Sequence, residues 1–178
     1  MARKKSSHET RSGPAEAGPP RRAPMREFSR SLPMSLLRAR EAVMRQFRPS
    51  LRNHGLTEQQ WRILRALSAV DEIEVTELAH MAFLLGPSLS RILRDLEGRQ
   101  LIERKAAETD ARRAVVSISA KGLKLIEAVA PTSEAIYAEI TRRFGSRKLA
   151  ELQEMLGGLE ASLADMAAAD EGEVEADE

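Results

Sequence analysis

The sequence contains no cysteine, which excludes disulfide bonds, thiolate metal sites and switches based on thiol oxidation. Long apolar runs are also missing, since none approaches the roughly 18 residues that cross a bilayer. After Arg11 the chain continues with glycine and proline, where a secretory signal would carry its apolar segment. These absences predict a soluble, intracellular protein of the cytoplasm with no membrane partner.

Signatures of catalysis are absent as well. The sequence has no phosphate-cradling glycine loop, no HExxH motif and no serine or cysteine nucleophile in a recognisable turn. His54 and His80 stand without a cysteine or a second histidine nearby, so capping and core roles are favoured over metal ligation. We therefore expect no enzyme activity, no cofactor and no metal site.

Charge is distributed unevenly along the chain. Residues 1–30 carry eight bases and three acids in a background of serine, glycine and proline, whereas Asp165 and the residues after it carry seven acids and no base. Such a polar N-terminal segment cannot bury enough surface to offset the entropy of ordering. We expect a disordered basic arm over 1–30, either solubilising or grasping nucleic acid, and a disordered acidic tail over 168–178.

Apolar residues recur at helical spacing in the first ordered part of the chain. The pattern predicts a helix over Leu32–Asn53 that ends at Gly55. A second helix begins at Thr57, whose hydroxyl can cap it while Gln60 reaches back.

Two short helices and a charged hairpin follow. Thr76 is expected to cap the first helix, and Pro87 suits the start of the second, which runs to about Gly98. Strand candidates at 101–105 and 114–119 flank a polar stretch. This order of elements is typical of a winged helix-turn-helix, whose second short helix enters the major groove of DNA.

The donor chemistry of the second short helix suits DNA. Arg91 and Arg94 could each fork to guanine, and Ser88 and Ser90 suit phosphate or base contacts. The alternative is a solvated face on which Arg94 pairs with a neighbouring acid, Glu97 or Asp95.

The C-terminal part predicts two helices, one capped by Ser119 and one that starts near Ser146. In the last helix, apolar residues alternate steps of three and four, the seam spacing of helices packed on helices. Its adjacent Gly157 and Gly158 would each cost about 1 kcal/mol relative to alanine unless something packs closely there. Because the first helix also carries an apolar stripe, we expect a homodimer built from both chain ends, with packing within one chain as the alternative.

Residues 32–166 resemble the MarR family of transcriptional regulators. The resemblance rests on PSLSRILRDLEGRQLIERK and on a wing, ETDARRAVVSISAKG, in which Asp110 and Arg112 match the family's Asp-x-Arg signature. It implies that Arg112 reaches the minor groove and that Asp110 positions the wing. Gln100 stands where most members have glycine, so the helix end is expected to differ locally. The candidate DNA-binding residues are Pro87, Ser88, Ser90, Arg91, Arg94, Lys105, Asp110, Arg112 and Arg113.

The expected fold class is mainly α with a small β wing. It is a winged helix-turn-helix in which the N- and C-terminal helices form a dimerisation domain. The boundaries assign residues 31–56 to the first dimerisation helix, residues 57–119 to the DNA-binding region and residues 120–167 to the remaining dimerisation helices.

The stretch that begins LLRAREAVMRQF and runs to Arg65 is similar to regulators of homoprotocatechuate and related aromatic-acid catabolism, which implies a phenolic ligand. Arg40 falls on the apolar stripe of the first helix, where a guanidinium needs a carboxylate from a ligand or from the protein. The alternatives are an ion pair, for example with Glu41 of the partner subunit, or a side chain that snorkels to water. The candidate ligand-binding residues are Arg40, Met44, Phe47, Arg48, His54 and Trp61.

Taken together, the sequence predicts a sequence-specific regulator that binds an inverted-repeat operator in double-stranded DNA as a homodimer. The resemblance implies a repressor of an aromatic-compound catabolic operon, released by a small aromatic acid or its thioester. The alternative is a winged-helix module that associates with proteins and has no specific affinity for DNA.

Overall fold

The structure is a computed structural model that describes residues 27–106 and 113–174, with side chains described as far as residue 164. The chain divides into two compact units, Met1–Ala39 and Arg40–Glu178. The described part of the first unit is a short 3-10 helix, Phe28–Arg30, and the opening residues of the first α-helix. In the described residues, no helix is long and apolar enough to cross a membrane.

Helices dominate the described residues, and a small antiparallel sheet accompanies them, so the expectation of a mainly α fold with a small β wing is confirmed. The three strands are ordered β1-β3-β2. The elements in chain order are α1 Leu32–Asn53, α2 Glu58–Leu67, β1 Ile73–Glu74, α3 Val75–Met81, α4 Gly86–Gly98, β2 Ile102–Ala106, β3 Ala114–Ile118, α5 Ala120–Phe144 and α6 Ser146–Val174.

Capping residues begin two of the helices as the sequence predicts. The Thr57 hydroxyl accepts a hydrogen bond from the Gln60 N–H at 3.2 Å, and the Gln60 side chain accepts one from the Thr57 N–H at 2.8 Å. The expected cap at Thr76 is wrong, because α3 begins at Val75 with Glu74 at its N-cap, two residues before the expected cap. Glu74 pairs with Val115 in the sheet, so the strand passes directly into the helix and leaves no loop for a cap.

A single core cluster joins α2, α3, α4 and the sheet. The apolar faces of these elements interlock, and burial of each leucine contributes about 1.5–3 kcal/mol. This packing fixes which face of α4 points outward. The fully buried residues include Ile63, Leu64, Leu67, Leu78, Leu89, Leu93, Leu96 and Val116.

Gln100 ends α4 in the backbone conformation that glycine usually supplies. Its φ is 62°, its N–H donates to the Glu97 carbonyl oxygen at 2.8 Å, and the Leu101 N–H donates to the Leu96 carbonyl oxygen at 2.9 Å. These two bonds form the glycine-type helix end known as the Schellman motif. The expectation of a locally different helix end is therefore wrong, since glutamine adopts the strained conformation here.

A short junction then fastens α5 to the end of α4. The Ser119 hydroxyl donates to the Gln100 carbonyl oxygen at 2.7 Å and accepts from the Gly122 N–H at 3.0 Å. A Cβ on Gly122 would lie 2.2 Å from the carbonyl oxygen of Leu101, so the helix approaches this closely only because residue 122 has no side chain.

Replacing Gln100 with glycine is expected to raise the free energy of unfolding by about 1 kcal/mol, because glycine adopts positive φ without steric strain. Urea denaturation measures the change. Gln100→Ala is the matched control, since it removes the side chain beyond Cβ but keeps the Cβ that causes the strain. Equal stability of the two variants would show that the backbone conformation is not the cause.

Candidate nucleic-acid interface and ligand site

The outward face of α4 carries the predicted groups. Gly86 and Pro87 occupy its first two positions, consistent with the missing N–H of proline being tolerated at a helix start. The buried side is held by the core, so the opposite side faces solvent. The exposed residues on that side include Ser88, Ser90, Arg91 and Arg94.

Arg91 and Arg94 make no hydrogen bond or ion pair with any residue that the structure describes. The two neighbouring acids are engaged elsewhere. Asp95 accepts from the Gln60 side chain at 2.7 Å, and Glu97 lies 3.7 Å from an arginine of β2. The alternative in which Arg94 pairs with Glu97 or Asp95 is not found, and both guanidinium groups are available to an external partner.

The wing bases are tied to the region of β1. Lys105 lies 2.8 Å from Glu72, and the Arg113 Nε donates to Glu74 at 2.9 Å. These ion pairs join Lys105 of β2 and Arg113, just before β3, to acids in and beside β1. Two predicted wing residues lie outside the described residues, Asp110 and Arg112.

The turn that precedes α4 exposes two apolar side chains that were not among the candidates. Phe83 is 78% exposed with a φ of 49°, and Leu85, the N-cap of α4, is 79% exposed. Arg62 holds this turn from α2 by donating to the Ala82 carbonyl oxygen at 2.7 Å. The sequence signal was four consecutive apolar residues, 82–85, in a tight turn between two helices, which leaves too little room to bury them all.

Two arginines and one glutamate of α1 form a closed ring of ion pairs with Glu58, the first residue of α2. Arg40 donates to Glu41 at 2.7 Å and to Glu58 at 2.6 Å, while Arg48 donates to Glu41 at 2.6 Å and also to Glu58. The side chain of Glu58 is only 13% exposed. The partners of Arg40 therefore come from its own chain, and the two positive charges are balanced.

The predicted ligand residues divide between two cavities and the core. Arg40 and Arg48 line a cavity of about 400 Å³ beside Glu58, whereas His54 lines a separate one of about 490 Å³. The ring of Phe47 is buried 5.0 Å from that of Tyr137. Met44 and Trp61 are partly buried against the core.

The chain is similar in sequence to known transcriptional regulators. A profile of the MarR family matches residues 54–113. The homoprotocatechuate degradative operon repressor of Escherichia coli is 37% identical over 126 residues, which are 71% of this chain and 85% of that protein. The chain belongs to the MarR family. The sequence-based resemblance is confirmed.

Two solved MarR-like structures share the fold. NadR in complex with 4-hydroxyphenylacetate is 36% identical, with a TM-score of 0.67 over 77% of this MarR-family chain and 97% of NadR. The transcriptional repressor CouR, bound to a 23-mer DNA duplex, is 26% identical, with a TM-score of 0.69 over 74% of this chain and 94% of CouR.

The ion-pair ring predicts a pH dependence of stability. The hydrogen bond from Arg48, with the charges of Arg48 and Arg40, holds the pKa of Glu41 below its ordinary value of 4.5. A carboxyl whose pKa is lower in the folded state stabilises the protein fully above its ordinary pKa and loses that contribution as the pH falls through the lowered one. Glu41→Gln should therefore be less stable than wild type at pH 7, and the difference should shrink below pH 4.5.

Urea denaturation across this pH range makes the measurement. Glu127→Gln is the matched control, because Glu127 is exposed on α5 and pairs with no residue that the structure describes. A difference between wild type and Glu41→Gln that stayed constant with pH would contradict a role for the carboxylate charge.

Proposed function

We propose that the protein is a homodimeric repressor that binds an inverted repeat in double-stranded DNA and releases it when a small aromatic acid or its thioester binds. The observation that carries the DNA-binding part is the face of α4 on which Arg91 and Arg94 are exposed and unpaired among the described residues. A guanidinium that pairs with no carboxylate among the described residues keeps its five donors available for a partner.

The proposed contacts follow from this donor chemistry. Arg91 and Arg94 read guanine in the major groove, where one bidentate pair contributes about 1–3 kcal/mol of discrimination. Ser88 and Ser90 contact phosphate or base edges near the helix start. Pro87 begins the helix, and the wing residues Lys105, Asp110, Arg112 and Arg113 complete the proposed surface.

Relatives support both parts of the proposal. One relative is named a repressor of a homoprotocatechuate degradative operon, and CouR is a transcriptional repressor with DNA bound. NadR was solved with 4-hydroxyphenylacetate, an aromatic acid. For this chain we propose the same class of effector, with Arg40, Met44, Phe47, Arg48, His54 and Trp61 as the candidate contacts, of which His54 lines a separate cavity.

The last helix supports the dimer. Leu156 is 41% exposed, Leu163 is 50% exposed, and both belong to the predicted seam of α6. A Cβ on Gly157 or Gly158 would meet nothing within 4 Å, so packing among the described residues does not account for the two glycines. We propose that a second copy covers this face, with residues 31–56 and 120–167 as the dimerisation part and 57–119 as the DNA-binding part.

The alternative of a protein-association module uses the same apolar helix. It does not account for Arg91 and Arg94, which pair with no described residue, since association through the chain ends does not need them. The DNA-binding proposal accounts for both features and is therefore preferred.

Arg91→Ala and Arg94→Ala are each expected to weaken binding to a selected duplex roughly tenfold to a hundredfold, the loss of one bidentate base contact. Fluorescence anisotropy with a labelled duplex chosen by the protein from a random pool measures this. Arg45→Ala is the matched control, because Arg45 is an exposed, unpaired arginine of α1 among the described residues. If all three variants weakened DNA binding equally, α4 would contribute only general positive charge, and base reading by Arg91 and Arg94 would be contradicted.

Release by an aromatic acid is tested on the same complex. Addition of 4-hydroxyphenylacetate is expected to lower the anisotropy of the bound duplex, and the neutral alcohol with the same ring is expected to act far more weakly, because it lacks the carboxylate that arginine grips. If neither phenylacetates, hydroxycinnamates nor aromatic thioesters release the DNA, the effector class is wrong.

A further inference from the structure

A second cavity, separate from the one that Arg40 and Arg48 line, lies where the ends of three helices meet. It measures about 490 Å³, within the range of ligand pockets. His54 from the end of α1, Arg99 from the end of α4, and Lys121 and Lys124 from the start of α5 all line it. The cationic side chains of Arg99, Lys121 and Lys124, which come from the end of α4 and the start of α5, therefore converge on one space beside His54.

The charges in this cavity are not balanced as those of the Arg40 ring are. The residues that line it are His54, Arg99, Leu101, Lys121, Lys124, Leu125 and Ala128, and none of these is acidic. Asp95 approaches Arg99 only to 3.6 Å, and it also accepts from Gln60. Three permanent positive charges, those of Arg99, Lys121 and Lys124, border a cavity that is lined by no carboxylate of the described residues.

Hydrogen bonds hold several of these groups in place. The Lys121 ammonium donates to the Arg99 carbonyl oxygen at 2.8 Å, which leaves two of its three donors free. The His54 Nδ1 lies 2.9 Å from the Ser50 carbonyl oxygen, which can only accept, so Nδ1 carries a proton and this bond holds the ring in place. Lys124 has no hydrogen bond or ion pair with any described residue.

The remaining lining is apolar. Leu101 is buried, Leu125 packs against the core, and Ala128 follows one turn further along α5. A bare inorganic anion would leave this apolar surface in contact with water. An anion attached to a flat apolar body fills both parts, because its charge meets the cations while its ring covers half-buried Leu125 and exposed Ala128.

We infer that this cavity, formed by His54, Arg99, Lys121 and Lys124 over Leu101 and Leu125, binds a small organic anion with an apolar body, such as an arylcarboxylate. The site is distinct from the Arg40 cavity and does not depend on it. Because Arg99 and Lys121 flank the junction of α4 with α5, an anion bound there links the base of the DNA-reading helix to the following helix.

A phosphate of bound DNA is the other source of negative charge, and the position of the cavity argues against it. Ser88 and Arg99 are separated by 11 positions of the chain. At a rise of 1.5 Å per residue this separation is about 16 Å along α4. The cavity therefore lies at the opposite end of the helix from the residues proposed to contact DNA first.

Calorimetry with phenylacetate tests the site directly. Wild type is expected to bind phenylacetate about tenfold more tightly than acetate or inorganic phosphate, since only the first covers the apolar surface. In the double variant Lys121→Gln, Lys124→Gln this binding should weaken at least about tenfold, the loss expected when two cationic partners are removed. Lys148→Gln, an exposed lysine of α6 that lines no part of the cavity, is the matched control.

The variant Arg40→Ala distinguishes phenylacetate binding in this cavity from binding in the Arg40 cavity. Phenylacetate binding that survives Arg40→Ala but weakens in the lysine double variant supports the inference. Binding that is unchanged in the double variant overturns it, whatever the outcome for DNA release by aromatic acids. Thermal unfolding of each variant without ligand shows whether the fold is intact. If the double variant unfolds, phenylacetate binding is measured on Lys124→Gln alone, which breaks no hydrogen bond within the described residues.

The salt dependence of DNA binding shows whether the cavity holds a DNA phosphate instead of a small organic anion. If the cavity holds DNA phosphates, the double variant lowers the slope of log affinity against log salt by about two per chain. A lowered slope together with unchanged phenylacetate binding assigns the cavity to the DNA backbone and overturns the inference. An unchanged slope with weakened phenylacetate binding confirms it.

Discussion

The close approach of α5 to the end of α4 is the constraint on which the arrangement of the DNA-reading helix depends. Gly122 lets α5 lie against the Leu101 carbonyl, and Ser119 links the two elements through its hydroxyl. The core holds one side of α4, so its exposed side is oriented by the same contacts. A change in the direction of α5 is therefore transmitted to α4 with little loss, since packed interiors deform very little.

Local rules explain why much of the fold follows from the sequence. Thr57 with Gln60, and Ser119, are capping residues whose effect extends over only three positions, so their helix starts are predictable. Thr76 satisfies the same local rule, yet the pairing of Glu74 with Val115 decides where α3 begins. Gln100 shows the converse, because surrounding structure imposes a conformation that glutamine by itself disfavours.

The candidate sites are less predictable, since their chemistry depends on pairing between distant residues. Arg91 and Arg94 could be selected from helical spacing alone. Whether Arg40 is paired depends on Glu58, 18 positions away. The ion pairs of Lys105 and Arg113 likewise depend on acids in and beside β1. The sequence places Arg40 on an apolar stripe but does not reveal that two carboxylates neutralise it and Arg48.

The central claim is that two copies of α4 read two halves of a symmetric DNA site. Hydroxyl-radical footprinting on a duplex selected by the protein from a random pool tests it most directly. The account predicts two protected half-sites related by inversion, with their centres about one helical turn, roughly 34 Å, apart. A single protected patch without symmetry, or protection of every duplex alike, would contradict it.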